Sequence, residues 1–207
     1  MRPRMSILCR LSLAAITATL LFAAAPIAAE ELPSAAQLMD DLMWSRGPIG
    51  GPFTLIDHNG KVRSDTEYRG KLLLIYFGYT YCPNVCPTDL VAISEAIDSL
   101  GAAGEAIQPI FITVDPERDT PAHLADYVSS FHPRLIGLTG SPAQIREVAL
   151  SYKVYYAKVK DERSEDYAID HSGLFYLIGR NGEYLGFIPP LTSPDRLIEI
   201  LRLQLAG

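Results

Sequence analysis

The feature that most constrains the fold of this chain is an unbroken apolar run over residues 72–77, which leads into two cysteines and then into a helical pattern. Such a run is typical of a strand buried on both faces. The following segment, residues 89–100, carries apolar side chains at a helical period, namely Leu90, Ile93, Ile97 and Leu100. Cys82 and Cys86 therefore lie in a loop between a buried strand and a helix.

The Cys-x-x-x-Cys spacing indicates what this loop can do. At the start of a helix, residues four apart lie on one face and one turn apart, so Cys82 and Cys86 can face one ion or form a disulfide with each other. The positive end of the helix favours the thiolate, which is the form that binds metal or exchanges disulfides.

A histidine far downstream, His171, supplies a third donor of matching chemistry. Two thiolates and an imidazole suit copper, because soft sulfur selects it over Mg²⁺, Ca²⁺ or Mn²⁺. No fourth protein ligand is visible in the sequence, so a closed tetrahedral zinc site is less favoured. We expect one copper ion, as Cu(I) or Cu(II), at Cys82, Cys86 and His171. Asp170 is a candidate to orient His171 through its second ring nitrogen.

Composition narrows the class of protein. The 207 residues are 48% hydrophobic and 20% charged, which is enough for one well-buried domain and additional segments. The net charge is −6, and lysine and arginine do not cluster outside the extreme N-terminus. These charges argue against nucleic acid as a partner and favour a protein or a small ion.

Residues 1–29 are expected to be an export signal, because basic residues precede a long apolar stretch that ends in small side chains. The stretch is about as long as a membrane-spanning helix, so a cleaved signal peptide and a retained N-terminal membrane anchor are both open. Either outcome places the protein in the bacterial envelope, anchored on the periplasmic side of the inner membrane or soluble in the periplasm. Residues 30–50 then form a linker, and residues 51–207 form the copper-binding domain.

The remaining patterns predict an α/β protein with a thioredoxin-like fold, in which helices flank a central β-sheet and an N-terminal β-hairpin precedes it. Asn59-Gly60 marks the turn of that hairpin. Strand and helix patterns then follow in the order βαβαβ, and the chain closes with a β-hairpin over residues 174–188 and a helix. In this fold the loop before the last hairpin contains His171, and that loop faces the cysteine loop. Residues 160–167 are expected to be a charged loop.

The other side chains of types that can bind metal, methionine and histidine, are expected to have structural roles. Met39 and Met43 are expected on the apolar face of a docking helix rather than in a copper site. His58 is expected to be a solvated turn residue, and His123 and His132 to lie at the surface or to cap a helix, with no link to the cysteines.

The acidic segment 115–121 is also open to two interpretations. Asp119 and Thr120 are expected to cap the helix that begins at Pro121. Asp115 is undecided between a turn residue and a charge that contacts a partner or a cation.

Four ordered blocks of this sequence resemble the Sco/SenC family of copper chaperones: residues 51–55 (Gly-Pro-Phe-Thr-Leu), 76–88 with both cysteines, 114–121 (Val-Asp-Pro-Glu-Arg-Asp-Thr-Pro) and 170–172 (Asp-His-Ser). The resemblance implies a thioredoxin-like fold, an N-terminal membrane anchor, and copper ligation by Cys82, Cys86 and His171. It also implies delivery of copper to the binuclear copper centre of cytochrome c oxidase subunit II, or to a related copper protein.

Two alternatives use the same cysteines. Cys82 and Cys86 suit a thiol-disulfide reductase acting on the cysteines of the oxidase copper site, with another copper chaperone or a thioredoxin-like reductant as further partners. A peroxiredoxin-like peroxidase would use Cys86 with Arg118, but the upstream proline of such sites is missing. The expected protein is therefore primarily a chaperone, and enzymatic activity is left open.

Overall fold

The computed structural model describes residues 33–43, 47–160 and 166–206. The predicted signal or anchor, residues 1–29, lies outside these ranges. Within them, no helix combines the length and the apolar character needed to cross a membrane.

A seven-stranded sheet forms the centre of the described domain, in the spatial order β2-β1-β5-β4-β3-β8-β9. The apolar run becomes β3, Leu72–Gly78, and every one of its residues is buried. It pairs in parallel with β4 and antiparallel with β8, so it is a central strand, as predicted. The other strands of this sheet are β1 (Thr54–Asp57), β2 (Val62–Ser64), β4 (Ile107–Thr113), β5 (Ile136–Thr139), β8 (Phe175–Ile178) and β9 (Tyr184–Ile188).

The edges of this sheet come from the two predicted hairpins. The N-terminal hairpin pairs β1 with β2 and attaches through β1 to β5. The late hairpin pairs β8 with β9 and attaches through β8 to β3. The mixed sheet flanked by helices is that of a thioredoxin-like fold, so the predicted fold class is confirmed.

Helices cover both faces of the sheet. One layer contributes apolar side chains to the core on the side of the cysteine helix: α2 (Val85–Ser99), α3 (Pro121–Ser129) and α5 (Pro194–Ala206). The opposite core includes side chains from α1 (Ala35–Met43) and α4 (Pro142–Ser151). The start of α3 is as predicted, since the Thr120 hydroxyl accepts a hydrogen bond from the His123 backbone N–H.

A second, two-stranded sheet carries the histidine. It pairs β6, Tyr156–Lys160, antiparallel with β7, Tyr167–His171, and the register places Tyr156 opposite His171. The prediction of a loop at His171 is therefore wrong, because His171 is the last residue of a strand. The predicted charged loop of residues 160–167 has strand residues at both ends, and residues 161–165 lie outside the described ranges.

Helix α1 lies within the predicted linker and packs on the domain. Leu38 and Leu42 are its buried residues, and Asp41 lies 3.5 Å from the Lys153 ammonium. The two methionines, by contrast, are 40% and 62% exposed. Their assignment to the docking face was wrong because leucines one position earlier share the same helical spacing and occupy that face.

Two histidines make more contacts with the rest of the fold than the sequence suggests. The prediction that His132 lies at the surface is wrong: it is 5% exposed, its Nδ1 accepts a hydrogen bond from the Arg134 N–H, and Asp98 lies 3.4 Å away. Burial lowers the pKa of His132. His58 lies in the hairpin turn as expected, but its Nδ1 accepts a hydrogen bond from the Gly137 N–H and is thus part of the fold.

Candidate metal centre

The cysteines lie where β3 passes into α2. Helix α2 begins at Val85 rather than at residue 89, so Cys82 is in the loop and Cys86 is in the first helical turn. Pro87 does not end the helix, because it lies in the first turn, where backbone N–H groups have no carbonyl acceptor within the helix. The backbone N–H of Cys86 donates to the Cys82 sulfur at 3.5 Å, so the loop turns back over the helix start.

The structure brings His171 to the cysteines from the end of β7. Its Nε2 lies 3.5 Å from the Cys86 sulfur, across 85 residues of sequence. The sulfurs of both cysteines and one ring nitrogen of His171 all lie within 4.8 Å of one another. Both cysteines are free thiols. The three candidate ligands named from the sequence therefore converge on one point, with Nε2 as the histidine atom that faces the sulfurs.

The two thiols have different environments. Cys86 is fully buried, whereas Cys82 is half-buried. A hydrogen bond from Cys86, with further help from His171 and from backbone N–H groups, lowers the pKa of Cys82 to about 4 in spite of its burial. The same hydrogen bond and burial raise the pKa of Cys86. The expected preference for the thiolate thus holds for Cys82 and is wrong for Cys86, and the causes are the hydrogen bonds and the burial of each sulfur.

The surroundings of His171 leave its other nitrogen without a partner among the described residues. Nδ1 is buried and accepts or donates no hydrogen bond there, while the Tyr79 ring packs edge-on against the imidazole at 5.7 Å between centroids. Asp170 is exposed. The prediction that Asp170 orients His171 is wrong, because consecutive side chains on a strand point to opposite faces.

The cysteine loop is held by a carboxylate that the sequence analysis assigned to a helix cap. Asp119 is completely buried and accepts hydrogen bonds from the Thr80 N–H and hydroxyl and from the Thr113 hydroxyl. His123 reaches the same Thr80 hydroxyl through Nε2 at 2.8 Å and stacks on Tyr81. His123 therefore contacts two residues of the cysteine loop, Thr80 and Tyr81, and Asp119 fixes this loop rather than capping α3.

Asp115 and Arg118 form a second buried group beside the loop. Asp115 is 1% exposed, accepts from the Arg118 Nε at 2.5 Å and from the Tyr167 hydroxyl at 2.7 Å. The Arg118 guanidinium lies 3.8 Å from the Tyr167 ring centroid and 4.5 Å from that of Tyr81. Asp115 is thus a structural anchor for Arg118 and for Tyr167 of β7, and Arg118 in turn packs over the Tyr81 ring of the cysteine loop. The Arg118 Nε and Nη1 donate to Asp115 and to the Tyr167 carbonyl, whereas Nη2 is buried without a hydrogen-bond partner among the described residues.

An open groove of about 310 Å³ exposes two of the three candidate ligands, Cys82 and His171. The other residues that line it are Val85, Ile169, Asp170, Gly173 and Pro190. Two thiols and an imidazole with an open side suit a soft ion such as Cu(I), which is stable with few ligands. A closed four-ligand zinc site is not formed by the described residues.

Comparisons with known proteins agree with this chemistry. The sequence model of the SCO1/SenC family matches residues 43–206. A SCO2-like protein of Rickettsia conorii is 46% identical over 155 residues, which cover 74% of this chain and 76% of that protein. The solved structure of Bradyrhizobium japonicum ScoI with copper bound is 46% identical, has a TM-score of 0.70, and aligns over 75% of this chain and 99% of its own.

A third comparison bears on redox chemistry. BsSco is described as a member of the Sco family of cytochrome c oxidase assembly proteins with a disulfide switch. It is 27% identical to this chain, with a TM-score of 0.60, and the alignment covers 77% of this chain and 95% of BsSco.

Proposed function

This chain belongs to the SCO1/SenC family, and from that premise we propose that it is a copper chaperone that holds one copper ion at Cys82, Cys86 and His171. The observation that carries the proposal is the convergence of two sulfurs and His171 Nε2 within 4.8 Å. The copper bound to the related ScoI of Bradyrhizobium japonicum supports it.

The geometry suits temporary holding of the ion. Cys82 is a thiolate near neutral pH, so it is ready to bind metal without first losing a proton. The groove leaves one side of the donor set open, and a recipient's ligand can enter there before the donor's ligands leave. Copper is the cargo of this exchange and keeps its oxidation state throughout.

A copper titration of the reduced protein tests the ligand assignment. We expect one copper per chain, with retention abolished by Cys82→Ser or Cys86→Ser. His171→Ala should weaken Cu(I) modestly but Cu(II) severely, because two thiolates alone can hold Cu(I). His58→Ala is the matched control, since that histidine lies in the β1–β2 turn.

Two results would overturn this assignment. The first is a Cu(II) spectrum that does not change in His171→Ala. The second is copper binding by the wild-type protein no stronger than that of Cys82→Ser.

We further propose that the recipient is the binuclear copper centre of cytochrome c oxidase subunit II, or a related copper protein. Support comes from the description of BsSco as one of the cytochrome c oxidase assembly proteins. The N-terminal segment would export the chain to the periplasmic side of the inner membrane and anchor it there if uncleaved. Mixing the copper-loaded protein with the soluble copper domain of subunit II tests delivery, and copper that stays on the donor would overturn it.

A second candidate function, thiol-disulfide exchange, is favoured by the unequal pKa values of the cysteines. The Cys82 thiolate would attack a disulfide of the partner and form a mixed disulfide. Cys86 would then lose its proton to solvent and attack Cys82, so that the partner leaves as a dithiol and Cys82–Cys86 becomes a disulfide. Turnover of a protein disulfide by the metal-free dithiol, without copper retention at a stoichiometric load, would make this the main function.

A further inference from the structure

Helix α2, which carries Cys86, is joined to the loop after β9 by one hydrogen bond. Asp89, in the second turn of α2, is completely buried, and its Oδ1 accepts a hydrogen bond from the Leu191 N–H at 2.7 Å. The two residues are 102 positions apart in sequence. The loop after β9 is therefore fixed to the same helix that carries Cys86.

Leu191 has an unusual conformation for its residue type. Its φ is 57°, in the left-handed region that disfavours side chains with a Cβ, and its side chain is 63% exposed. Glycine or asparagine would adopt this backbone at lower cost. Leu191 thus adopts a strained backbone conformation although its apolar side chain is mostly exposed. Residues in such conformations cluster at functional sites.

The position of Leu191 relates this strain to the metal centre. Its neighbour Pro190 forms a wall of the groove that also exposes Cys82 and His171. Val85 and Ile169 contribute further apolar walls. Leu191 therefore directly follows a wall residue of the groove through which a ligand would reach the ion.

From this arrangement we infer that Leu191 is a docking contact for the copper recipient, whose ligand-bearing segment lies in the groove. The inference rests on the proposed function. The occupant must bring a soft donor, cysteine, methionine or histidine, because two of the candidate ligands, Cys82 and His171, line the groove. Apolar residues beside that donor would pack against Pro190 and Leu191.

Charge adds a second requirement on the partner. Asp170 is exposed and is the carboxylate among the residues that line the groove. A basic side chain near the partner's donor would face Asp170, and such pairs steer association and set register.

During exchange, a bond from copper to the incoming donor forms as a bond to Cys82, Cys86 or His171 breaks. The freed donor atom keeps its electron pair, and a freed thiolate takes up a proton from solvent where its pKa requires one.

The inference is tested by copper transfer from Leu191→Asn to the soluble copper domain of subunit II. Asparagine tolerates the left-handed backbone, so we expect an equal or higher urea midpoint and unchanged copper affinity, with transfer about tenfold slower at sub-saturating recipient. We expect the same stability, copper affinity and slower transfer for Leu191→Gly. Leu203→Asn is the matched control, because Leu203 is 72% exposed and lies in a pocket with Leu72, at the opposite end of β3 from the cysteines.

The outcomes separate this inference from the proposed function. Transfer at the wild-type rate in both Leu191 variants overturns the docking role and leaves copper delivery intact. Loss of copper affinity in both variants also overturns it, because Leu191 would then act through the structure of the site. Wild-type protein that binds copper but delivers none overturns the proposed delivery, and the docking role with it.

Discussion

The carboxylate of Asp119 accepts two hydrogen bonds from Thr80, at 3.1 Å from the backbone N–H and at 2.6 Å from the hydroxyl. Thr80 stands two residues before Cys82, and Asp119 follows the end of β4. The side chain also accepts from Thr113 in β4 itself. One buried group therefore sets the position of the cysteine loop relative to the neighbouring strand.

Replacing this carboxylate should destabilise the fold strongly. Asp119→Ala leaves three donors without their acceptor, the Thr80 N–H, the Thr80 hydroxyl and the Thr113 hydroxyl at the end of β4, so we expect a loss of about 3 kcal/mol in the free energy of unfolding. Urea denaturation of the reduced, metal-free protein at pH 7 measures it. Asp126→Ala, at an exposed position of α3, is the control and should change stability by less than about 0.5 kcal/mol. Equal losses in the two variants would show that Asp119 does not hold the loop.

The low pKa of Cys82 predicts an unusual pH profile of alkylation. An ordinary thiol has a pKa of about 8.5, so its reaction rate with iodoacetamide rises nearly tenfold per pH unit between pH 6 and 8. Cys82 titrates near 4 and is already a thiolate in this range, so its rate should be flat. The rate should fall only as the pH drops through about 4, where the thiolate takes up its proton.

The matched variant for this measurement is Cys86→Ala, in a Cys9→Ser background so that a single thiol remains. It removes the hydrogen bond that is the largest cause of the shift, so the profile should move toward that of an ordinary thiol. A Cys82 rate that climbs with pH between 6 and 8 in the Cys9→Ser protein with Cys86 intact would contradict the assignment of Cys82 as the thiolate.

Gly78 ends β3 and leaves room for the sulfur of Cys86. A Cβ at this position would lie 2.9 Å from a Phe111 ring carbon and 3.0 Å from the Cys86 sulfur. Gly78→Ala should therefore displace Cys86 and cost about 1–3 kcal/mol of stability. It should also weaken copper retention in competition with a Cu(I) chelator.

A second glycine controls for the substitution itself. In Gly51→Ala the added Cβ would meet Ser151 at 3.6 Å, an ordinary contact, so stability and copper retention should change little. If Gly78→Ala matched Gly51→Ala in both measurements, the close packing between the end of β3 and Cys86 would have no role in the site.

The sequence predicted best where the pattern was local and strong. The apolar run at residues 72–77 is a central strand, and the Asn59-Gly60 hairpin lies where it was expected. Strand β7 was missed because it pairs only with β6 in its small sheet, and most of its residues are incompletely buried. A strand with so little buried surface has no clear apolar alternation to identify it.

Contacts between distant segments explain the other errors. Asp119 precedes Thr120 and Pro121, so a helix cap was the natural local interpretation, and nothing in the sequence shows that its partner is Thr80 in another loop. His132 was assigned to the surface for the same reason, since its burial depends on how the segment before β5 packs. The meeting of His171 with the cysteines, by contrast, followed from the topology of the thioredoxin-like plan.

The separation of Cys86 and His171 along the chain has a thermodynamic consequence. An ion held by both residues would join positions 85 residues apart and act as a cross-link on the unfolded chain. Closing a loop of that length restricts the unfolded state by several kcal/mol, by analogy with a disulfide. The loaded protein would therefore resist unfolding and proteolysis more than the empty one. Each delivery would return the donor to its more protease-sensitive form, so the survival of the chain in a protease challenge would measure the fraction that still carries its ion.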